Sequence, residues 1–143
     1  MTTLVVDAGI ALKWVIAEAG SEAALAFRLG ARLIAPDIML ADCATILCKK
    51  VARGELTRDE ALLAARLLQG AGVEFVSMRP LLEAAMLIAL DLRQPLRDCV
   101  YIALAAGRNC RLVTADCVLA RSAAERAQGA WSDRVILLGA ASA

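Results

Sequence analysis

The sequence predicts an α/β fold in which a short parallel β-sheet is flanked by helices as a three-layer sandwich. Short apolar strands alternate with helical patterns along the chain, the order that builds parallel sheets. Much of the 60% hydrophobic content is alanine and leucine, which favour helices. Acids stand where apolar segments stop, and in such folds ligands gather at the carboxyl ends of the strands. A chain of 143 residues has room for one domain with a substantial core and is short for two. Residues 1–143 are therefore expected to form a single domain.

Residues 3–6 read as a buried strand ending at Asp7, followed by a helical pattern to about residue 17 and another from Ser21 to Leu29. Arg32 to Ala35 form a second strand pattern. Pro36 and Asp37 then start a helix that continues to Arg53, with Gly54 as its C-terminal stop. Thr57 with Glu60 makes a capping box for the next helix, which ends near Gly70 and Gly72. A third strand spans residues 73–76 and a helix covers about 80–92, punctuated by Pro95. The pattern closes with a helix at about 98–107, a strand at 111–114, a helix at 117–127 and a strand at 134–138.

Composition narrows the chemistry. There is no histidine, so carboxylates must carry any acid–base or metal chemistry. Oxygen ligands of this kind suit Mg²⁺ or Mn²⁺ far better than zinc or copper. The five cysteines include no Cys-x-x-Cys pair, and read as reduced, largely buried thiols of a cytoplasmic protein. No apolar run approaches the ~18 residues of a membrane span, and no export signal is expected. Net charge is +1, so a nucleic-acid surface would have to be a local patch.

Four aspartates stand out: Asp7 in LVVD, Asp42 in MLAD, Asp98 in RDCVYIALA and Asp116 in LVTAD. Asp7, Asp98 and Asp116 each sit at a helix start, where helix capping explains an aspartate nearly as well as ligation. Asp42 is different. It lies inside a helical pattern among Met39, Leu40, Cys43 and Ala44, where an uncompensated charge is costly. An ion pair with Lys49 would satisfy it locally; membership of a metal site would satisfy it together with the other three acids. If the four meet, their repulsion raises at least one pKa until a cation binds. A divalent ion relieves the repulsion and activates a water for attack on a phosphodiester. Lys13, Lys49, Lys50, Arg53, Arg97 and Arg111 are candidates for holding phosphates, with Lys13 and Arg97 nearest the acids in sequence.

These residues resemble the PIN-domain family, and within it the VapC-type toxins of bacterial toxin–antitoxin pairs. LVVDAGIALKW looks like the first strand and first acid. LIAPDIMLADCATILCKKVARGEL is similar to the long helix with the second acid, and PLRDCVYIALAAGRNCRLVTAD to the segment with the third and fourth. The likeness runs from about Thr3 to Leu138. It implies a PIN-like sandwich, Mg²⁺ or Mn²⁺ dependence and endoribonuclease activity on structured RNA such as tRNA or ribosomal RNA. It also implies a cytoplasmic homodimer held in check by a cognate antitoxin, with Asp7, Asp42, Asp98 and Asp116 as metal-site acids. Thr114 matches the hydroxyl often seen before the last acid. The chain departs from the pattern at Asp42, where glutamate is usual, at Thr45, where asparagine is common, and at Gly9, where serine, threonine or asparagine is common. Those departures motivate the alternative of a catalytically weak or inactive PIN-like module that binds RNA or a protein partner. A phosphotransfer domain fits less well, because Gly9 stands where a dehalogenase-type site needs a second aspartate.

Overall fold

The computed structural model describes residues 1–126 and 132–138. Five strands, β1 (Thr2–Val6), β2 (Ala31–Pro36), β3 (Glu74–Val76), β4 (Arg111–Thr114) and β5 (Val135–Leu137), form one sheet in the order β3-β2-β1-β4-β5. Every pairing is parallel. Seven α-helices lie among the described residues: α1 (Ala8–Val15), α2 (Ser21–Arg28), α3 (Ile38–Ala52), α4 (Arg58–Gln69), α5 (Leu82–Leu92), α6 (Leu96–Gly107) and α7 (Cys117–Arg126).

The chain runs outward from β1 to β2 and β3, then returns to the other side of β1 for β4 and β5. Crossovers between parallel strands are right-handed almost without exception, so reversing direction moves the helices to the opposite face. Accordingly α1, α3 and α4 pack on one another, while α5 packs on α6 and α7. The expected three-layer sandwich is what forms. Its reversal lies between β1 and β4, the topological switch point at which doubly wound sheets bind ligands.

Local chemistry sets most element ends. Thr57 and Glu60 close the expected capping box on α4. Gly54, at φ +74°, follows α3; its N–H reaches the Val51 carbonyl at 3.0 Å and the Glu55 N–H reaches the Lys50 carbonyl at 2.9 Å, a Schellman ending that favours glycine. Asp37 stands at the α3 N-cap but makes no side-chain cap bond. Its carboxylate accepts instead from the Met78 N–H at 3.1 Å, tying α3 to the chain after β3.

The core centres on α6, where Cys99 through Ala105 are all buried against β1, β2 and β4. The α1 segment Ile10–Leu12 is also core, and Trp14 donates to the Ala24 carbonyl at 2.9 Å, fastening α1 to α2. The apolar stretch of α1 is therefore interior, whereas α4 leaves Leu62, Leu63 and Leu67 half exposed. Of the cysteines, Cys43 and Cys99 are buried but Cys48 and Cys117 are exposed, fewer buried thiols than composition led one to expect. No helix of the described residues is long and apolar enough to cross a membrane.

Candidate active site

β1 delivers Asp7 to the switch point, and the residue caps α1: one carboxylate oxygen accepts the Ile10 N–H at 3.0 Å. Its other oxygen accepts the Thr114 hydroxyl at 2.5 Å. Thr114, at the end of β4, has no exposed surface, and its hydroxyl also accepts the Asp116 N–H at 3.0 Å. Asp116 in turn accepts the N–H groups of Val118 and Leu119 at 2.9 and 3.1 Å. Two acids from neighbouring strands are thus joined through one buried hydroxyl. Both are helix caps, yet each carboxylate keeps lone pairs beyond those that capping uses.

Asp98 is not a cap. The helix was expected to open at this residue, but α6 begins at Leu96 with Pro95 at the N-cap position. The Pro95 carbonyl accepts the Asp98 N–H at 3.1 Å, so Asp98 lies within the first turn, where the helix dipole favours an anion. Asp42 is half-buried on α3 and accepts the Tyr101 hydroxyl at 2.7 Å. Lys49 is exposed, and no ion pair among the described residues joins it to Asp42.

All four aspartates line one cleft of about 210 Å³, together with Gly9, Arg97 and Tyr101. Burial pushes Asp7 up to about 6, although the Thr114 and Ile10 hydrogen bonds pull the other way; the charges of Asp98 and Asp116 raise it further. Asp98 is also raised, first by burial, with Arg97 opposing and with Asp116 and Asp42 adding repulsion. Tyr101 is raised by burial and by its bond to Asp42, so it stays a phenol and a donor. Cys43 and Cys99, next in sequence to Asp42 and Asp98, are pushed up to about 12 and about 11, chiefly by burial. Neither offers a thiolate ligand near neutral pH.

The family model for the PIN domain matches residues 4–125, a span that contains every element of this cleft. The chain belongs to the PIN-domain family. Such domains are generally nucleases and usually use divalent metals. Among solved structures, the chain is similar to PAE2754 from Pyrobaculum aerophilum, with a TM-score of 0.66 and 16% identity over 85% of this chain and 79% of that one. Identity at that level speaks for the fold alone. No curated protein gives a significant match.

Within this PIN domain the donor set suits a hard cation: four carboxylates, with no thiolate or imidazole to compete. Mutual repulsion on Asp7 and Asp98 shows that they sense the charge of neighbouring acids. Among the described residues, however, no three acids converge tightly enough to form a closed ligand set. Mg²⁺ tolerates that well, since it keeps several waters and binds through one or two carboxylates.

Two other expected contacts divide. Arg97 lines the cleft. Lys13 does not: its ammonium is held by Glu18 at 3.2 Å and by the Ala19 carbonyl at 2.8 Å, away from the acids. Being six residues from Asp7, it follows α1 off the strand end, and proximity in sequence misplaced it. Thr45 also lies outside, with its hydroxyl turned back to the Ala41 carbonyl at 2.8 Å. A Cβ on Gly9 would meet Asp7 at 3.6 Å, an ordinary contact, so a side chain fits there. Tyr101 is the site residue that sequence reading passed over. Its signal was available, because it is the chain's one tyrosine and lies three residues after Asp98 on the same helical face.

Proposed function

We propose that this PIN domain is a divalent-metal-dependent endoribonuclease and the toxin of a type II toxin–antitoxin pair, acting on structured RNA such as tRNA or ribosomal RNA. The observation that carries the nuclease reading is the convergence of Asp7, Asp42, Asp98 and Asp116 on one cleft at the sheet's switch point. Mg²⁺ or Mn²⁺ would sit among the four acids, bound directly by one or two of them and through water by the others. When bound, that ion supplies Lewis-acid charge and an activated water for attack on a phosphodiester. Thr114 locks the Asp7 carboxylate in place, and Tyr101 does the same for Asp42. Arg97, which is exposed and lines the cleft, would draw a phosphate toward the acids.

Support for the toxin reading is of two kinds. The segments around the acids resemble VapC-type toxins. In addition, two apolar helical faces are exposed: Leu62, Leu63 and Leu67 on α4, and Leu82, Met86, Leu87 and Leu90 on α5. Patches of this kind mark protein contacts, and a homodimer with a bound antitoxin would cover both.

A second reading rests on a specific observation. Asp42 is one methylene shorter than the glutamate common at its position and is already engaged by Tyr101, and the acids do not close a ligand set among the described residues. That favours a weak or inactive module that binds RNA or a partner. One experiment separates the two. Purified, antitoxin-free protein is incubated with total RNA and Mg²⁺ or Mn²⁺, beside Asp98→Asn. Discrete fragments that vanish with EDTA and with the variant are expected. Absence of cleavage in folded protein, restored by Asp42→Glu with Gly9→Ser, would establish the weak-site reading instead.

A further inference from the structure

The opposite end of the sheet carries a second cleft, and its charge is the reverse of the first. About 550 Å³ of open space lies at the amino ends of β1, β4 and β5, lined by Arg108, Arg111 and Arg134 together with Thr2 and Asn109, and, among the described residues, by no carboxylate. The acid cleft, by contrast, sets four aspartates against one arginine. None of the three arginines is in an ion pair among the described residues. The Arg134 guanidinium donates to the Cys110 carbonyl at 3.5 Å, which holds its head at the cleft wall. Asn109 is in the left-handed region at φ +51°, placing an amide beside Arg108 in the turn after α6.

Part of this charge has a simple local use. Arg108 follows the last residue of α6, where a cation complements the helix dipole. That does not account for Arg111 or Arg134, which lie on or beside different strands. Three guanidiniums around one open cleft are mutually repulsive until an anion enters. Arginine's planar fork matches phosphate oxygens in pairs, and the hydroxyl and amide supply neutral donors to the same group. We infer that this cleft binds a phosphate group, in a nucleic-acid backbone or in a nucleotide.

Arg111 begins and Thr114 ends the four-residue strand β4, so the two clefts lie on the order of 10 Å apart along the backbone, at about 3.3 Å per residue. β5, a three-residue edge strand, contributes Ile136 to the arginine cleft and pairs with β4, whose far end leads to Ala115 and Asp116 of the acid cleft. An RNA passing over that edge would meet the arginines at one end of the sheet and the acids at the other. A net charge of +1 gives a polyanion little general attraction, and the acid cleft repels it. The arginine cleft would supply what both lack.

The test is equilibrium binding of a labelled single-stranded RNA in EDTA, which reads affinity whether or not the acid cleft cuts. Wild type is compared with Arg111→Ala, Arg108→Ala and the charge-reversed Arg111→Glu, with circular dichroism confirming the fold. If RNA is the ligand, each alanine variant binds several-fold more weakly, and the slope of log K against log salt flattens by about 0.7 for each phosphate no longer neutralised. A second arm titrates a nucleoside monophosphate while following the arginine Nε–H resonances by NMR. Shifts in wild type that disappear in Arg111→Glu, with RNA binding unchanged, would assign the site to a small phosphate ligand. Unchanged RNA affinity in every variant together with no nucleotide-induced shifts would overturn the inference. Because no cleavage is read, that failure is distinct from failure of the nuclease reading.

Discussion

Asp7 is a helix cap, a hydrogen-bond partner of Thr114 and a member of an acid cluster, and these roles conflict. The hydrogen bonds favour its charge, while burial and the neighbouring acids oppose it more strongly, raising it from 3.8 to about 6. Its folded value lies above the unfolded one. Between pH 3.8 and about 6 the folded state therefore holds a proton that the unfolded state releases, and this group's contribution to stability falls as pH rises through that window. At neutral pH the metal-free fold carries a penalty of up to about 3 kcal/mol. Asp7→Asn in metal-free protein is expected to be more stable than wild type by about 1–2 kcal/mol at neutral pH, with the gain shrinking toward pH 4. Urea denaturation at the two pH values checks this, and a loss of stability at both would refute the electrostatic account. Tyr101→Phe removes the hydrogen bond that the Asp42 carboxylate accepts. It should lower stability by about 1.5–3 kcal/mol, as for bonds to charged groups, and weaken Mn²⁺ binding several-fold by calorimetry. Unchanged affinity would mean that Tyr101 stabilises the fold without orienting Asp42.

Helix ends were legible wherever the signal is chemical and local. The Thr57–Glu60 box and the Gly54 stop need only their own side chains and backbone angles. Thr57→Ala should lower stability by about 1 kcal/mol, read from the urea midpoint; no change would mean that packing alone holds α4. The start of α6 was misjudged because two signals compete there. Aspartate is a favoured cap, yet Pro95, at φ −56° and with its carbonyl accepting from Asp98 and Cys99, already begins the turn. Two residues of displacement turned Asp98 from an expected cap into a carboxylate with no capping duty. The strand expected at 134–138 is shorter, Val135–Leu137, because residues 132–134 form a 3₁₀ turn before it. The final residue of the helix expected at 117–127 lies outside the described residues.

At the scale of the molecule, the sheet order is what makes a site. Reversal of winding at β1 and β4 leaves a gap between diverging loops, and each of the four acids is delivered to it by a different element. The same winding leaves the outer faces of α4 and α5 to solvent. If the protein is a homodimer, charges at one of these faces should dissociate it. Leu63→Glu with Leu67→Glu on α4, and Leu87→Glu with Leu90→Glu on α5, are expected to differ in sedimentation, with one pair monomeric and the other unchanged. A wild type that sediments as a monomer at high concentration would remove the dimer from the proposal.

By itself the sequence determined the class of fold and the helix-capping places of Asp7 and Asp116, since period, capping and composition act within a few residues. It could not determine which charges meet. Lys13 and Arg97 are both near an acid in sequence, yet α1 carries Lys13 to Glu18 while α6 turns Arg97 into the cleft. The partner of Asp42 is Tyr101, from another helix, in preference to the lysine on its own. Pairings of that kind depend on how helices cross in space, and only the tertiary structure decides them.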